Sequence, residues 1–180
     1  NVAGNSDGNQ YGFIWDIVSL GEGGSITLIF DPPIMNGPGF DFAVFENSFD
    51  SGFLELAWIE VSSNGVDFFR FENISLTSSS VPSFGIIDPT NIYGLAGKYE
   101  QGYGTPFDLE SFQIAGFDTN LLDLNHISYI KVIDVVGDGN SFDSRQNVFI
   151  NSPIFDPYPT NASAGFDLDA IGVINQFHIL

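Results

Sequence analysis

The chain of 180 residues has no cysteine, only four basic residues and only two histidines. Without cysteine it cannot form disulfides, thiolate metal sites or a cysteine nucleophile. The four basic residues face 23 acidic ones, and the formal net charge is −19. This charge argues against nucleic acid or an anionic membrane surface as a partner, because both require basic side chains. No apolar stretch reaches the roughly 18 residues that a transmembrane helix needs, so we expect no direct membrane insertion.

Hydrophobic residues are plentiful by contrast: they make up 43% of the chain, and 19 of them are phenylalanine. Seven segments rich in β-branched and aromatic residues, each bounded by turn-forming residues, are predicted to be strands. They are residues 12–19, 25–30, 40–47, 56–63, 66–71, 127–136 and 165–174. Asn64 and Gly65 predict a two-residue hairpin turn. The pattern predicts an all-β fold: a single-domain β-sandwich of jelly-roll type with long loops, spanning residues 1–180.

Three of the predicted strands carry a carboxylate in register with aliphatic residues, near one end of the strand. Alternation along a strand places Glu46 and Asp134 on the same face as the valines two residues before them. In the last strand, Asp167 and Asp169 fall on the face that Ile171 would bury. A lone buried carboxylate is costly in its ionised form and favours a proton or a positively charged partner, and four basic side chains cannot serve so many acids. The alternative is that these acids face water.

A hard divalent cation is the partner that this composition favours, and calcium takes about six to eight oxygen ligands. Two loops add further aspartates to the strand acids. The predicted calcium ligands are Glu46, Asp134, Asp138, Asp156, Asp167 and Asp169. Near the start of the chain, Asn5, Asp7 and Asn9 alternate as in a calcium loop, but the glycine and the bidentate glutamate of an EF-hand are missing. For any one loop aspartate, the alternative is a turn cap.

Motifs for catalysis are missing from the sequence. A nucleophilic triad requires histidine, and only His126 and His178 are present, neither beside a nucleophile motif. Glu46, Glu60 and Asp169 leave a glycoside hydrolase with paired carboxylates as an alternative, although 23 acids make pairs common by chance. We therefore predict a protein that is not an enzyme and has no catalytic residues.

A glycine-rich segment, residues 88–109, carries three tyrosines and predicts a binding surface. Tyr93, Tyr99 and Tyr103 would stack on a sugar ring or another flat ligand and offer a polar hydroxyl. The alternative is that these tyrosines pack the loop onto the sandwich.

Four strings, in this order, resemble a family of bacterial secreted cell-surface proteins: "VSLGEGGSITLIFDPPIMNGPGFDFAVFENSF", "ELAWIEVSSNGVDFFRF", "DPTNIYGLAGKYEQGYGTPFDL" and "VIDVVGDG…FDPYPT…GFDLDAIGVIN". The resemblance implies export, a jelly-roll-like sandwich and display on the bacterial cell surface. From the long loops we predict a glycan, a small ligand or a surface protein as the partner. Some relatives lie beside outer-membrane transporters for corrinoids, which implies an accessory role in nutrient uptake as an alternative. The string "IEVSSNGVDFFRF" is also similar to discoidin-like jelly rolls, which often carry a structural calcium.

Overall fold

The computed structural model describes residues 17–115, 121–144, 152–160 and 165–177. The strands are β1 (Val18–Ser19), β2 (Ser25–Ile34), β3 (Phe42–Glu46), β4 (Ala57–Ser62), β5 (Phe69–Arg70), β6 (Ile74–Ser75), β7 (Ile92–Tyr93), β8 (Thr105–Phe107), β9 (Ile127–Asp134) and β10 (Asp167–Val173). A 3-10 helix spans Pro89–Asn91 and a short α-helix, α1, spans Glu110–Ile114. None of the helices in these ranges has the length and hydrophobicity to cross a bilayer.

Two four-stranded antiparallel sheets form the body of the protein. One has the strand order β1-β10-β3-β8 and the other β2-β9-β4-β5, while β6 and β7 form a separate pair. Buried side chains of β3 and β10 belong to the same hydrophobic core as those of β4 and β9. The two sheets therefore face each other, which confirms the prediction of an all-β sandwich. The jelly-roll connectivity and the single domain stay predictions.

Alternation of apolar residues decides which face of each central strand is buried. In β3, Phe42 and Val44 are buried, whereas Ala43 and Phe45 are partly exposed. In β9, Ile130 and Val132 are buried and Lys131 between them is partly exposed. Each such side chain contributes about 1.5–3 kcal/mol of transfer free energy, so a slip of one residue would be costly. The predicted faces of Glu46 and Asp134 are confirmed, because both follow these buried residues by two and are themselves buried.

The hairpin between β4 and β5 is present, but its turn is wider than the predicted two residues. Glu60 pairs with Arg70, which leaves a longer connection between the strands. Asn64 still turns the chain, since its side-chain Oδ1 accepts hydrogen bonds from the backbone N–H groups of Val66 and Asp67 at 2.8 and 2.9 Å. The side chain thus closes an Asx-type turn inside a larger loop.

The last strand departs from the predicted alternation. It pairs with β3 through Leu168 and then Ala170, which leaves Asp169 as the extra residue of a β-bulge. The bulge reverses the alternation, so Leu168 enters the core before it and Ile171 after it. The prediction that Asp167 and Ile171 share one face is therefore wrong.

Candidate metal centre

Four strand ends from both sheets meet at one end of the sandwich, and acidic residues gather there. β3 and β9 end with Glu46 and Asp134, whereas β10 and β4, antiparallel to them, begin at this end. Asp167 is the first residue of β10, and Glu55 lies just before β4. Together with Asp156, these residues form the acid cluster, which is defined as Glu46, Glu55, Asp134, Asp156 and Asp167.

Two members of the acid cluster hold the surrounding backbone in place. Asp134 accepts one hydrogen bond on each carboxylate oxygen, from the backbone N–H groups of Gly23 and Phe166, both at 2.7 Å. Asp156 Oδ2 accepts the N–H of Leu56 at 3.1 Å. These bonds join β9, the start of β4 and the approach to β10, so these two acids have a structural role.

The other three carboxylates are only partly satisfied, although Glu46 accepts a hydrogen bond from the backbone N–H of Ser48 and Asp167 accepts one from the side chain of Ser19. Glu46 is 3% exposed and Asp167 is 6% exposed. Glu46 Oε2 and Asp167 Oδ1 are buried and accept no hydrogen bond from any described residue. Glu55 Oε1 accepts one from the N–H of Gly165 at 3.2 Å. An unsatisfied buried carboxylate oxygen costs free energy, so a cation would gain most at these atoms.

The acids of the cluster raise one another's pKa. Burial raises the pKa of Glu46 well above its usual range, and the charges of Glu55 and Asp167 raise it further. Burial and then the charge of Asp167 raise the pKa of Glu55 to about 8. Burial also raises the pKa of Asp134 and of Asp167, and that of Asp156 most clearly, despite the hydrogen bonds that oppose it. In each of these acids, the ionised form is therefore destabilised relative to the protonated form.

No basic side chain in the described ranges forms an ion pair with the acid cluster. Arg70 and Lys131 pair instead with Glu60, at N–O distances of 2.7 and 3.8 Å. The ammonium of Lys98 lies 4.8 Å from the ring centroid of Tyr93. Because no basic side chain among these residues pairs with the acid cluster, a proton or a bound cation would have to compensate its negative charge.

The carboxylates are not yet gathered around one point. Within the part of the chain that the structure describes, no group of three or more His, Asp or Glu side chains has the arrangement of a metal site. Calcium ligands lie at about 2.3–2.6 Å and include carbonyl and amide oxygens. Binding would therefore require the side chains of Glu46, Glu55 and Asp167 to rotate toward each other.

The structure brings four of the six predicted ligands together and leaves two apart. Those within the acid cluster are Glu46, Asp134, Asp156 and Asp167. Asp138 is exposed and caps a turn, since its two oxygens accept the backbone and side-chain N–H groups of Asn140 at 2.8 and 2.7 Å. Its charge nevertheless helps to raise the pKa of Asp156. Asp169 is buried in the bulge, where its Oδ1 accepts no hydrogen bond from any described residue, and burial alone raises its pKa. Unlike Asp167, it does not raise the pKa of any member of the acid cluster.

Glu55 is the member of the acid cluster that the sequence analysis missed. It alternates with Leu54 and Leu56, the pattern of a solvent-facing strand residue. Its place is set by long-range pairing, because β4 lies beside β9 with Ala57 opposite Asp134. An acid directly before a strand is the only local signal, and it does not reveal which strand lies next to it.

The remaining residues singled out in the sequence lie outside the described ranges or away from the acid cluster. Asn5, Asp7, Asn9 and His178 lie outside the described residues. His126 is exposed at a turn, where its N–H donates to the carbonyl of Asp123 at 2.9 Å. Asp143 accepts the backbone N–H groups of Ser75 and Ser152 at 3.3 and 3.1 Å, which is a structural role.

The three tyrosines of the glycine-rich segment are exposed. The ammonium of Lys98 lies 4.8 Å from the ring centroid of Tyr93 and 5.9 Å from that of Tyr99. Tyr103 stands apart from this contact, and its N–H donates to the carbonyl of Glu100 at 3.1 Å. The exposure of all three rings fits a binding surface better than the packing alternative.

A second aromatic surface, missed by the sequence analysis, lies on a loop beside the acid cluster. The ring centroid of Phe53 is 6.3 Å from that of Phe49 and 6.4 Å from that of Phe84, and the rings are nearly parallel. Phe49 is 69% exposed and Phe84 is 79% exposed. We call these three rings the phenylalanine shelf. Two of them belong to the loop of residues 47–54, which has a cluster acid at each end.

Hydrogen bonds within the loop, and one to Ile87, give this loop a defined conformation. The hydroxyl of Ser48 donates to the backbone carbonyls of Asp50, at 2.8 Å, and of Phe53. The N–H of Gly52 donates to Asp50 Oδ1 at 2.9 Å, and its carbonyl accepts the N–H of Ile87 at 2.7 Å. The rings are therefore held by the loop and not only by their own packing.

Comparison of the chain with protein-family models, curated proteins and solved structures found no match. The resemblance to bacterial cell-surface proteins stays a prediction, as do export and a place beside an outer-membrane transporter. Function is therefore inferred from the acid cluster and from the two aromatic surfaces.

Proposed function

We propose that the chain is a non-catalytic, calcium-binding β-sandwich module that binds a glycan, a small ligand or a partner protein outside the cell. One observation carries the proposal: Glu46 Oε2 and Asp167 Oδ1 are buried and accept no hydrogen bond from the part of the chain that the structure describes. They lie in a cluster whose acids have raised pKa values and no basic partner among the described residues. Calcium supplies positive charge to oxygens of this kind, and extracellular modules bind it with a Kd of about 10⁻⁴–10⁻³ M.

The same ion would order the aromatic loop. Glu46 and Glu55 flank residues 47–54, so one ion that ligates both carboxylates joins the two ends of the loop. If calcium restricts the loop before a ligand binds, less conformational entropy is lost when the ligand binds. Calcium therefore prepares the phenylalanine shelf for binding.

The aromatic surfaces favour ligands with flat or apolar faces. Exposed aromatic rings stack on sugar rings and other planar groups, with hydroxyl or ammonium groups nearby for orientation. The phenylalanine shelf offers the apolar area. Tyr93, Tyr99 and Lys98 offer a more polar surface.

A glycoside hydrolase is the alternative function, and the raised pKa of Glu55, about 8, is the feature that favours it, since a general acid needs such a value. The reaction also requires two carboxylates about 5–9.5 Å apart that flank the substrate. Glu46 is buried, and Glu60 is ion-paired to Arg70 on the sheet surface. This placement favours a cation over a substrate. Hydrolysis of a glycan that is lost in Glu55→Gln would favour the enzyme instead.

The experiment for calcium binding is amide hydrogen exchange in calcium and in EDTA. We expect calcium to slow exchange in residues 47–54 by at least about tenfold, because local opening becomes less favourable. The loop of residues 63–68, between β4 and β5, is the internal control and should not change. Magnesium at the same concentration should have less effect, because it dehydrates reluctantly.

A matched pair of variants links the effect to the carboxylates. In Glu46→Gln with Glu55→Gln, we expect calcium to leave exchange in residues 47–54 unchanged. Glu60→Gln removes an acid from the sheet surface and should keep the wild-type response. Equal exchange in calcium and EDTA for the wild type, or an unaltered response in the double glutamine variant, would contradict the proposal.

A further inference from the structure

A cavity of ≈ 190 Å³ lies beside α1, away from the acid cluster. Three phenylalanines form its floor: Phe71, Phe107 and Phe112. Two acids, Glu72 and Asp108, lie at its edge. None of the residues that line it belongs to the acid cluster or to either aromatic surface.

The aromatic floor is fixed by core packing. The ring centroid of Phe71 lies 4.9 Å from that of Phe107 and 4.6 Å from that of Phe112, with tilts of 57° and 53°. All three side chains are buried and belong to the core between the sheets. The floor is therefore formed before any ligand arrives, and binding does not have to order it.

The edge of the cavity is negatively charged. Glu72 is exposed, and Asp108 is half-buried at the start of α1. Asp108 Oδ1 accepts the N–H of Glu110 at 2.9 Å, a contact that orients the carboxylate but does not neutralise it. Among the described residues that line the cavity there is no lysine or arginine. A cationic ligand would meet two carboxylates there without a competing ion pair.

We propose that this cavity binds a small organic ammonium cation, of the size of the choline headgroup. A methylated ammonium carries its charge on an apolar surface, so it gains from aromatic contact and from carboxylates at the same time. A cavity of about 150 Å³ holds benzene, so the volume is sufficient for such a headgroup. A metal ion would not use the aromatic floor, and a neutral ligand would not use the acidic edge.

The test compares choline with its uncharged carbon analogue, in which carbon replaces the nitrogen. Each is titrated into the full chain while the NMR signals of the Ala115 methyl group and the Ser111 amide, both at the cavity, are followed. We expect saturable shifts with choline and an affinity for the carbon analogue that is at least about tenfold lower. Equal affinity for the two compounds, or no saturable shift with choline, would overturn the proposal.

Variants assign the effect to the edge of the cavity. Glu72→Gln with Asp108→Asn should weaken choline at least about tenfold while keeping the acceptor for Glu110. Asp67→Asn with Asp123→Asn removes the same number of charges from exposed turns elsewhere and should retain choline binding. A similar loss in both double variants would mean that only the overall charge attracts the cation, which would also overturn the proposal. A thermal melt of each variant verifies folding, and the comparison of the two compounds on the wild type needs no variant.

Discussion

Two buried acids lie at opposite ends of β3, and they differ in how completely their carboxylates are hydrogen-bonded. Asp41, just before the strand, accepts hydrogen bonds on Oδ1 from the N–H of Gly37 at 2.8 Å and the side-chain amide of Asn175 at 2.9 Å. Its Oδ2 accepts the N–H of Leu109 at 2.8 Å. Glu46, at the other end, is also buried. Its Oε2 accepts no hydrogen bond from any described residue, and burial and the neighbouring acids raise its pKa.

The difference shows that burial of an acid does not by itself indicate a binding site. Asp41 is buried because its carboxylate joins three chain segments, a structural role complete within the protein. Glu46 is buried without enough donors, among acids that disfavour its charge. Incomplete hydrogen bonding beside other acids that raise the pKa, and not burial alone, is therefore the feature that distinguishes a candidate metal centre from a structural carboxylate.

The largest expected effect comes from removing the structural acid. Asp41→Ala leaves three donors without their acceptor, and we expect the free energy of unfolding to fall by about 3 kcal/mol or more. The loss should be the same in calcium and in EDTA, because Asp41 lies at the other end of β3. Chemical denaturation in both conditions measures it. A loss that calcium restores would contradict the comparison.

Glu46→Gln should have the opposite effect in the metal-free protein. Removing a carboxylate that is unfavourable when ionised should raise the Tm in EDTA at pH 8 by about 2–6 °C. The same variant should lose most of its stabilisation by calcium. Glu100→Gln, an exposed acid outside the cluster, is the control, and thermal melts of both compare them. A lower Tm in EDTA would show that the ionised Glu46 is already well accommodated.

The pH dependence of stability follows from the same cluster. The pKa of Glu55 is raised from 4.5 to about 8 in the folded protein, so the folded state binds more protons than the unfolded state between these values. This contribution to stability is fully present below about pH 4.5 and is lost as the pH rises to about 8. Denaturation in EDTA across this range should show the decline, and Glu55→Gln should make it shallower. A wild-type profile that rises with pH would contradict this sign.

The smallest expected effect separates the two aspartates of the last strand. Asp167→Asn should lower calcium affinity at least about tenfold, because a ligand charge is lost. Asp169→Asn should change it by less than about twofold, since Asp167 raises the pKa of Glu46, Glu55 and Asp134 whereas Asp169 raises none of them. Calorimetric titration with calcium compares them. A larger effect at Asp169 would favour the ligand role that the sequence suggests for it.

Much of the sandwich and part of the acid cluster were predictable from the sequence, and the reasons are physical. Alternation in β3 and β9 places Glu46 and Asp134 correctly, because each strand packs one face on the core. It fails at Asp169, because one extra residue reverses the pattern and a bulge leaves no trace in local hydrophobicity. It also fails at Glu55, whose neighbours are brought close by strand pairing distant in the chain.

The most direct test of the calcium proposal is a thermal melt of the wild type and of Glu46→Gln with Asp167→Asn, each in EDTA and in millimolar calcium. At a calcium concentration about ten times the Kd, binding adds about 1.4 kcal/mol, which corresponds to a rise in Tm of about 3–6 °C. We predict this rise for the wild type and its loss in the double variant, with elemental analysis verifying that the EDTA sample is metal-free. An unchanged Tm in a metal-free wild-type sample, or the same rise in the double variant, would contradict a metal centre at the acid cluster.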